Sequence, residues 1–210
     1  MRIQPIVEGH GEVEAVPVLL RRLRDGVGAF GLDVGKPIRK RRWELVQEDS
    51  LRKTVRLALL QPDCCAILIL FDSDDDCPKE LAAVVEGWAR EEARETPCEV
   101  VMAHREYEAW FLATIESLRG KNGILLDAIS HPEPETPRGA KEALEERMHP
   151  GSSYSEAADQ APLTAAFDMA ITFARCRSFR RMTNAFGALV SGAGFQLANW
   201  PPQDWLRGRV

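Results

Sequence analysis

Two acidic stretches stand where apolar runs end. Glu8 closes the run Ile3–Val7, and Asp72-Ser73-Asp74-Asp75-Asp76 closes Cys65–Phe71. Carboxylate oxygens with few sulfur or imidazole partners suit a hard divalent cation, Mg²⁺ or Mn²⁺. In an open parallel sheet, ligands bind beyond the carboxyl ends of the strands, where the strand order switches. If the two runs are neighbouring strands, Glu8, Asp72, Asp74 and Asp76 meet at one edge, and that much unpaired negative charge asks for a cation. The competing reading is a solvated turn that caps a helix, which is what many acidic runs are.

Further candidates share the edge. His104, Arg105, Glu106 and Glu108 follow a fourth apolar run, Glu99–Ala103. Glu108 there can bind metal, and His104 or Arg105 can touch phosphate. Glu106 and Glu108 can equally be acids of a first helical turn, where the dipole favours them. His10, between Gly9 and Gly11, is a loop histidine that can face the same site. Three other motifs fail on their residues. An EF-hand loop from Asp72 needs Gly at its sixth position and Glu at its twelfth, where Cys77 and Ala83 stand. A dinucleotide fingerprint from Gly9 needs Gly where Glu14 stands, and no P-loop occurs.

The elements that must position these residues follow from periodicity. Ile3–Val7 is a short strand, and Val13–Arg24 a helix with Val16, Leu19, Leu20 and Leu23 on one stripe. Trp43–Gln47 is expected to be the second strand, and Ser50 to cap a helix carrying Leu51, Val55 and Leu59. Cys65–Phe71 lacks alternation, as a central strand covered on both faces does. Pro78 suits the first turn of a helix to about Arg94, and Glu106–Leu118 is expected to be another. This order predicts an α/β fold: a parallel sheet of about four strands flanked by helices. Residues 1–119 form that core, 120–137 a Gly- and Pro-containing linker, and 138–210 a helical extension packed on it. The extension holds a short helix at Ala140–Met148, two helices between Leu163 and Leu189, and a tail pinned by Trp200 and Trp205. Trp88, Trp110, Phe173, Phe179 and Phe186 are expected in the core.

Composition sets the outer limits. The 210 residues are 45% hydrophobic and 28% charged, the mix of an ordinary globular chain that buries a core without disulfide or metal staples. The net charge is −5, so any nucleic-acid surface must be local. Two basic patches qualify: Lys36, Arg39, Lys40, Arg41 and Arg42, and Arg175, Arg177, Arg180 and Arg181. Either can track a phosphate backbone, dock an acidic partner or be a solvated face. The five cysteines form no CxxC and the histidines no zinc pairing, which suits free thiols in a reducing cytoplasm. The early acids at Glu8, Glu12 and Glu14 do not read as a signal peptide, and no apolar run reaches membrane-spanning length.

Val7-Glu8-Gly9 after the first strand, with Asp72-x-Asp74-x-Asp76 after a later one, resembles a Toprim domain, shared by topoisomerases, bacterial primases and certain nucleases. Four blocks in order, VEGHGEVEAV, FDSDDD, HREYEAWFLA and DQ…FDMAITFARCRSFRRM, are similar to the DUF4276 family of Toprim-like proteins over roughly residues 3–190. The resemblance implies Mg²⁺-dependent phosphoryl transfer. It gives Glu8 an acid/base or metal-holding role and assigns the metal to Asp72 and Asp74, with Asp76 as a further acid. Glu12, one helical turn on, can hold a second ion or simply favour the helix N-terminus. Only Tyr107 and Tyr154 exist, both in expected helical surroundings, so hydrolysis fits better than strand passage. The implied protein is a nuclease for DNA or RNA, acting as a toxic effector of anti-phage defence under a separate partner ATPase, with homodimerisation open. A non-catalytic metal-binding subunit, or a nucleic-acid or protein-binding module, is the alternative. A small-molecule phosphohydrolase fits less well, because its aspartate usually follows the first strand.

Overall fold

The computed structural model describes residues 1–207. Five strands form one parallel sheet: β1 (Arg2–Val7), β2 (Asp33–Val34), β3 (Ile38–Arg39), β4 (Cys64–Asp72) and β5 (Cys98–Ala103). The order is β2-β1-β4-β5, with β3 also paired to β1. The chain leaves β1 in one direction and returns to β4 on the other side, so the order reverses between β1 and β4. Their registers align Ile6 with Ile69 and Val7 with Leu70.

Alternation decides what each strand buries. On one face, Ile3 and Val7 of β1 join Ala66, Leu68 and Leu70 of β4 and Val101 and Ala103 of β5. On the other, Ile6 joins Ile67, Ile69, Phe71, Val100 and Met102. Leu68 to Phe71 are fully buried, and each such side chain contributes about 1.5–3 kcal/mol. The first face is covered by α1 (His10–Val27) and by helices from the second half, α7 (Glu156–Ala166), α8 (Met169–Arg175) and α9 (Arg177–Gly192). The second is covered by α3 (Glu48–Leu59) and α4 (Pro78–Ala93). One core therefore runs from Ile3 through Trp110 to Leu189. The stretch 120–137 carries only an isolated bridge, Ile124 with Met148, and α6 (Ala140–Glu145) follows it. Trp200 and Trp205 at the tail pack on Phe186 and Phe173. No helix among the described residues is long and apolar enough to cross a membrane.

The structure departs from expectation in four elements. Trp43–Gln47 is not a strand: α2 (Arg42–Leu45) is a short helix, and the strands are the two-residue β2 and β3, too short to leave a periodic trace. Gln47, not Ser50, is the N-cap of α3. In place of a helix over Glu106–Leu118, a turn precedes α5 (Ala109–Leu112) and a 3₁₀ turn (Ile115–Leu118). Tyr107–Ile115 is buried throughout, so it offers no exposed face to make a longer amphipathic helix. The segment Leu163–Leu189 holds three helices, because Asp168 Oδ1 accepts the amides of Ala170 and Ile171 and starts α8 afresh.

α1 and α7 touch at Gly11. A Cβ there would lie 2.3 Å from Gln160 Oε1 and 2.5 Å from the Glu156 carbonyl oxygen. At Gly87 in α4 a Cβ meets nothing within 4 Å. In urea denaturation, Gly11→Ala is expected to destabilise by about 1–3 kcal/mol. Gly87→Ala is expected to stabilise by about 0.5–1 kcal/mol. Equal effects at the two positions would contradict the close approach of α1 to α7.

Candidate active site

Four carboxyl groups converge at the strand-order switch. Glu8 lies one residue past β1, Asp72 ends β4, Glu12 is in the first turn of α1, and Glu108 follows β5. Alternation along β4 sends Asp72 to the α1 side of the sheet, where its Oδ1 accepts the Tyr107 amide at 2.9 Å. Glu12 is buried, and its Oε2 accepts the amides of Glu8 (2.9 Å) and Gly9 (2.8 Å), two donors the start of α1 would otherwise leave unpaired. Glu108 is fully buried. Its Oε1 accepts the Tyr154 hydroxyl at 2.7 Å and the Gln160 amide at 3.4 Å. The Oε2 atoms of Glu8 and Glu108 are buried without a hydrogen-bond partner.

Burial lifts the proton affinity of all four, and neighbouring carboxylates add to it. Burial raises Glu12 to about 8, against its two amide bonds and with the charges of Glu8 and Glu108 adding to it. Asp72 is held well above its ordinary value by burial, then by Glu12, Glu108 and Glu8. Burial brings Glu108 to about 7 despite Lys141 and Tyr154. Glu8 is raised by burial, which Arg42 opposes. Lys141 faces this group as a shared cation, lowering Glu8, Asp72 and Glu108 alike. Its Nζ pairs with Glu156 Oε1 at 2.5 Å. An open cavity of about 430 Å³ beside it is lined by His10, Lys141, Glu145, Tyr154, Ser155 and Glu156, among others.

The remaining acids of the DSDDD run are paired at the surface. Arg42 reaches Asp74 Oδ2 at 3.3 Å and Asp76 Oδ2 at 2.5 Å, and donates to the carbonyls of Asp72 and Ser73. Both carboxylates are more than half exposed. Asp75 joins Arg105 (2.5 Å) and Arg138 (3.4 Å). Asp74 and Arg105 both adopt left-handed backbone, φ 48° and 64°, and the Asp74 amide donates to the Arg105 carbonyl oxygen at 3.1 Å. Glu106 accepts the Lys141 amide at 3.0 Å, so neither it nor Glu108 serves as a first-turn acid of α5. His104 is half-buried in the same loop, and its carbonyl oxygen accepts the Glu106 amide.

Much of the basic patches is used internally. Arg39 donates to the Glu8 carbonyl at 3.3 Å and Lys40 pairs with Glu44, whereas Arg41 is exposed. Arg181 pairs with Glu86 and Glu99, and Arg180 holds the carbonyls of Phe173 and Ala174 at the end of α8. Arg177 is exposed. Lys141, Tyr154 and Gln160 belong to the site, yet no local spacing announces them. Arg42 is visible in the sequence only as one member of a basic run.

The donor set is all oxygen, and two of its oxygens are buried and unpartnered, which is the chemistry a hard divalent cation satisfies. Among the described residues, no three His, Cys, Asp or Glu side chains stand close enough together to hold a metal ion as they are placed. A family model described as "Domain of unknown function (DUF4276)" matches residues 7–186. No curated protein and no solved structure matches the chain.

The titration of Glu12 has a consequence for stability. Its proton affinity is raised from 4.5 to about 8, so between those values the folded chain binds more protons than the unfolded one. The contribution of this group is full below about pH 4.5, falls as pH rises, and is gone above about pH 8. Asp72 and Glu108 act in the same direction. The melting temperature of metal-free protein is expected to fall between about pH 5 and pH 8, and Glu12→Gln to flatten that slope. A melting temperature that rises over this range would contradict the burial of these groups.

Proposed function

The chain belongs to the DUF4276 family, a domain of unknown function, and from that premise we propose that it is a Mg²⁺-dependent nuclease of Toprim type that hydrolyses phosphodiester bonds of DNA or RNA. The observation that carries this reading is the convergence of Glu8, Glu12, Asp72 and Glu108 at the strand-order switch, each with its proton affinity raised.

Glu8, Asp72 and Glu108 are the residues that would hold the cation, with Asp74 and Asp76 available once Arg42 releases them. Held by these residues, Mg²⁺ or Mn²⁺ would supply Lewis-acid polarisation of a phosphate and of a water molecule. The protein supplies the rest. Glu12 fixes the turn that carries Glu8. Glu8 Oε2, buried and unpartnered, is one of the two oxygens free to meet that cation, and burial raises the proton affinity of its carboxyl group. Lys141 brings positive charge to where a phosphate must sit between acids. Neither tyrosine is a free nucleophile. Tyr107 is fully buried with its hydroxyl at 3.0 Å from Thr164, and the Tyr154 hydroxyl is committed to Glu108. Both features favour hydrolysis over a covalent protein–nucleic acid intermediate. Work as a toxic effector of anti-phage defence, restrained by a separate ATPase, is the setting the family resemblance suggests.

The ion pairs of Arg42 with Asp74 and Asp76 favour a second reading, a metal-binding or docking subunit without catalysis. Cleavage assays separate the two. With single-stranded and duplex DNA and RNA as substrates, Mg²⁺-dependent cleavage is expected that EDTA abolishes. Glu8→Gln and Asp72→Asn are each expected to lower it by about 100-fold or more. Cleavage that persists in EDTA, or is unchanged in both variants, would overturn the nuclease assignment. No cleavage of any of these substrates would favour the second reading.

A further inference from the structure

Glu108 and Tyr154 are 46 residues apart, and the hydrogen bond between them joins the strand-edge carboxylates to the second half of the chain. The Tyr154 hydroxyl and the Gln160 amide both donate to one oxygen, Oε1. The other oxygen is buried and has no partner. A carboxylate with two equivalent oxygens rotates readily, and occupying one of them selects which oxygen remains to bind a cation. Both donors are themselves held in place. The Tyr154 amide donates to Glu145 Oε1 at 2.8 Å, and its ring packs against the main core. Gln160 is buried, with its Oε1 lodged where a Cβ on Gly11 would stand. Tyr154 also lines the 430 Å³ cavity together with His10 and Lys141, so one face of it meets the carboxylate and another meets the open space.

We infer that Tyr154 is a positioning residue: its hydroxyl locks the Glu108 carboxylate so that Oε2 is presented as a cation ligand. The inference rests on the metal-binding reading above and adds to it a specific role for a residue outside the sheet. Hydrogen-bond partners of metal ligands fix ligand orientation, and their loss typically lowers metal affinity about 10–100-fold. Tyr154→Phe keeps the ring and removes only the donor.

The test is Mn²⁺ binding to the full chain, followed by electron paramagnetic resonance, for the wild type, Tyr154→Phe, Glu108→Gln and the double variant, with circular dichroism reporting the fold. Tyr154→Phe is expected to weaken Mn²⁺ binding about 10-fold. The double variant is expected to bind no more weakly than Glu108→Gln alone, because the hydroxyl acts only through that carboxylate. A purely structural tyrosine would instead give losses that multiply. A second measurement leaves Tyr154 in place. The chain has only 2 tyrosines, so 3-fluorotyrosine labelling gives two fluorine resonances. Mg²⁺ is expected to shift one of them in the wild type and neither in Glu108→Gln. If the wild type takes up no Mn²⁺, the metal-binding reading and this inference fail together. If it binds Mn²⁺ and Tyr154→Phe binds equally well, or Mg²⁺ shifts neither fluorine resonance, this inference alone is overturned.

Discussion

Like charges buried within reach of one another cannot all ionise without compensation, and the carboxyl edge of this sheet is organised around that constraint. Glu8, Glu12, Asp72 and Glu108 press on one another through a partly buried region where water screens little. The protein answers with neighbours of different kinds. Backbone amides neutralise part of Glu12, the Tyr107 amide takes one oxygen of Asp72, and Tyr154 and Gln160 take one of Glu108. Lys141 supplies a single cation to three of the four. Two oxygens are still unpaired, and an unpaired buried acceptor is costly until a donor or a cation meets it.

The fold explains why the constraint arises where it does. Parallel strands all point their carboxyl ends the same way, and the reversal of order between β1 and β4 opens a crevice at that edge. Helices cover both faces but not the edge. The second half of the chain closes one side of the crevice: α7 packs along α1, and the segment from Lys141 to Gln160 brings a cation and two hydrogen-bond donors to carboxylates delivered by the first half. Substitutions in that segment thus act on the site through carboxylate orientation and local charge, even though none of its residues lies on the sheet.

The acids at the strand ends were legible because strands announce themselves locally. Cys65–Phe71 is unbroken and apolar, which marks a central strand, and Asp72 at its end falls by simple alternation on the α1 face. Ile3–Val7 marks where Glu8 leaves the sheet, but alternation puts Val7, not Glu8, on the α1 face. Glu12 is visible in the sequence as an acid one turn into α1, and its two amide bonds to Oε2 are the contacts that hold the helix start. Glu108 stood among candidates because it follows a strand. Its partners lie 46 and 52 residues away, a separation no periodicity encodes. Strands of two residues, such as Asp33–Val34 and Ile38–Arg39, also leave no periodic pattern, and Arg42 is legible only as part of a basic run. In the fold it pairs with Asp74 and Asp76 at the surface.

The most direct test is the position of a cation. Anomalous diffraction from a crystal grown with Mn²⁺ would show it without reference to any substrate. The account predicts one strong peak beyond the ends of β1 and β4, within about 2.2 Å of oxygens from both Glu8 and Asp72. A peak bound only by surface acids, or no peak at saturating Mn²⁺ with residues 8 and 72 turned away from each other, would contradict it.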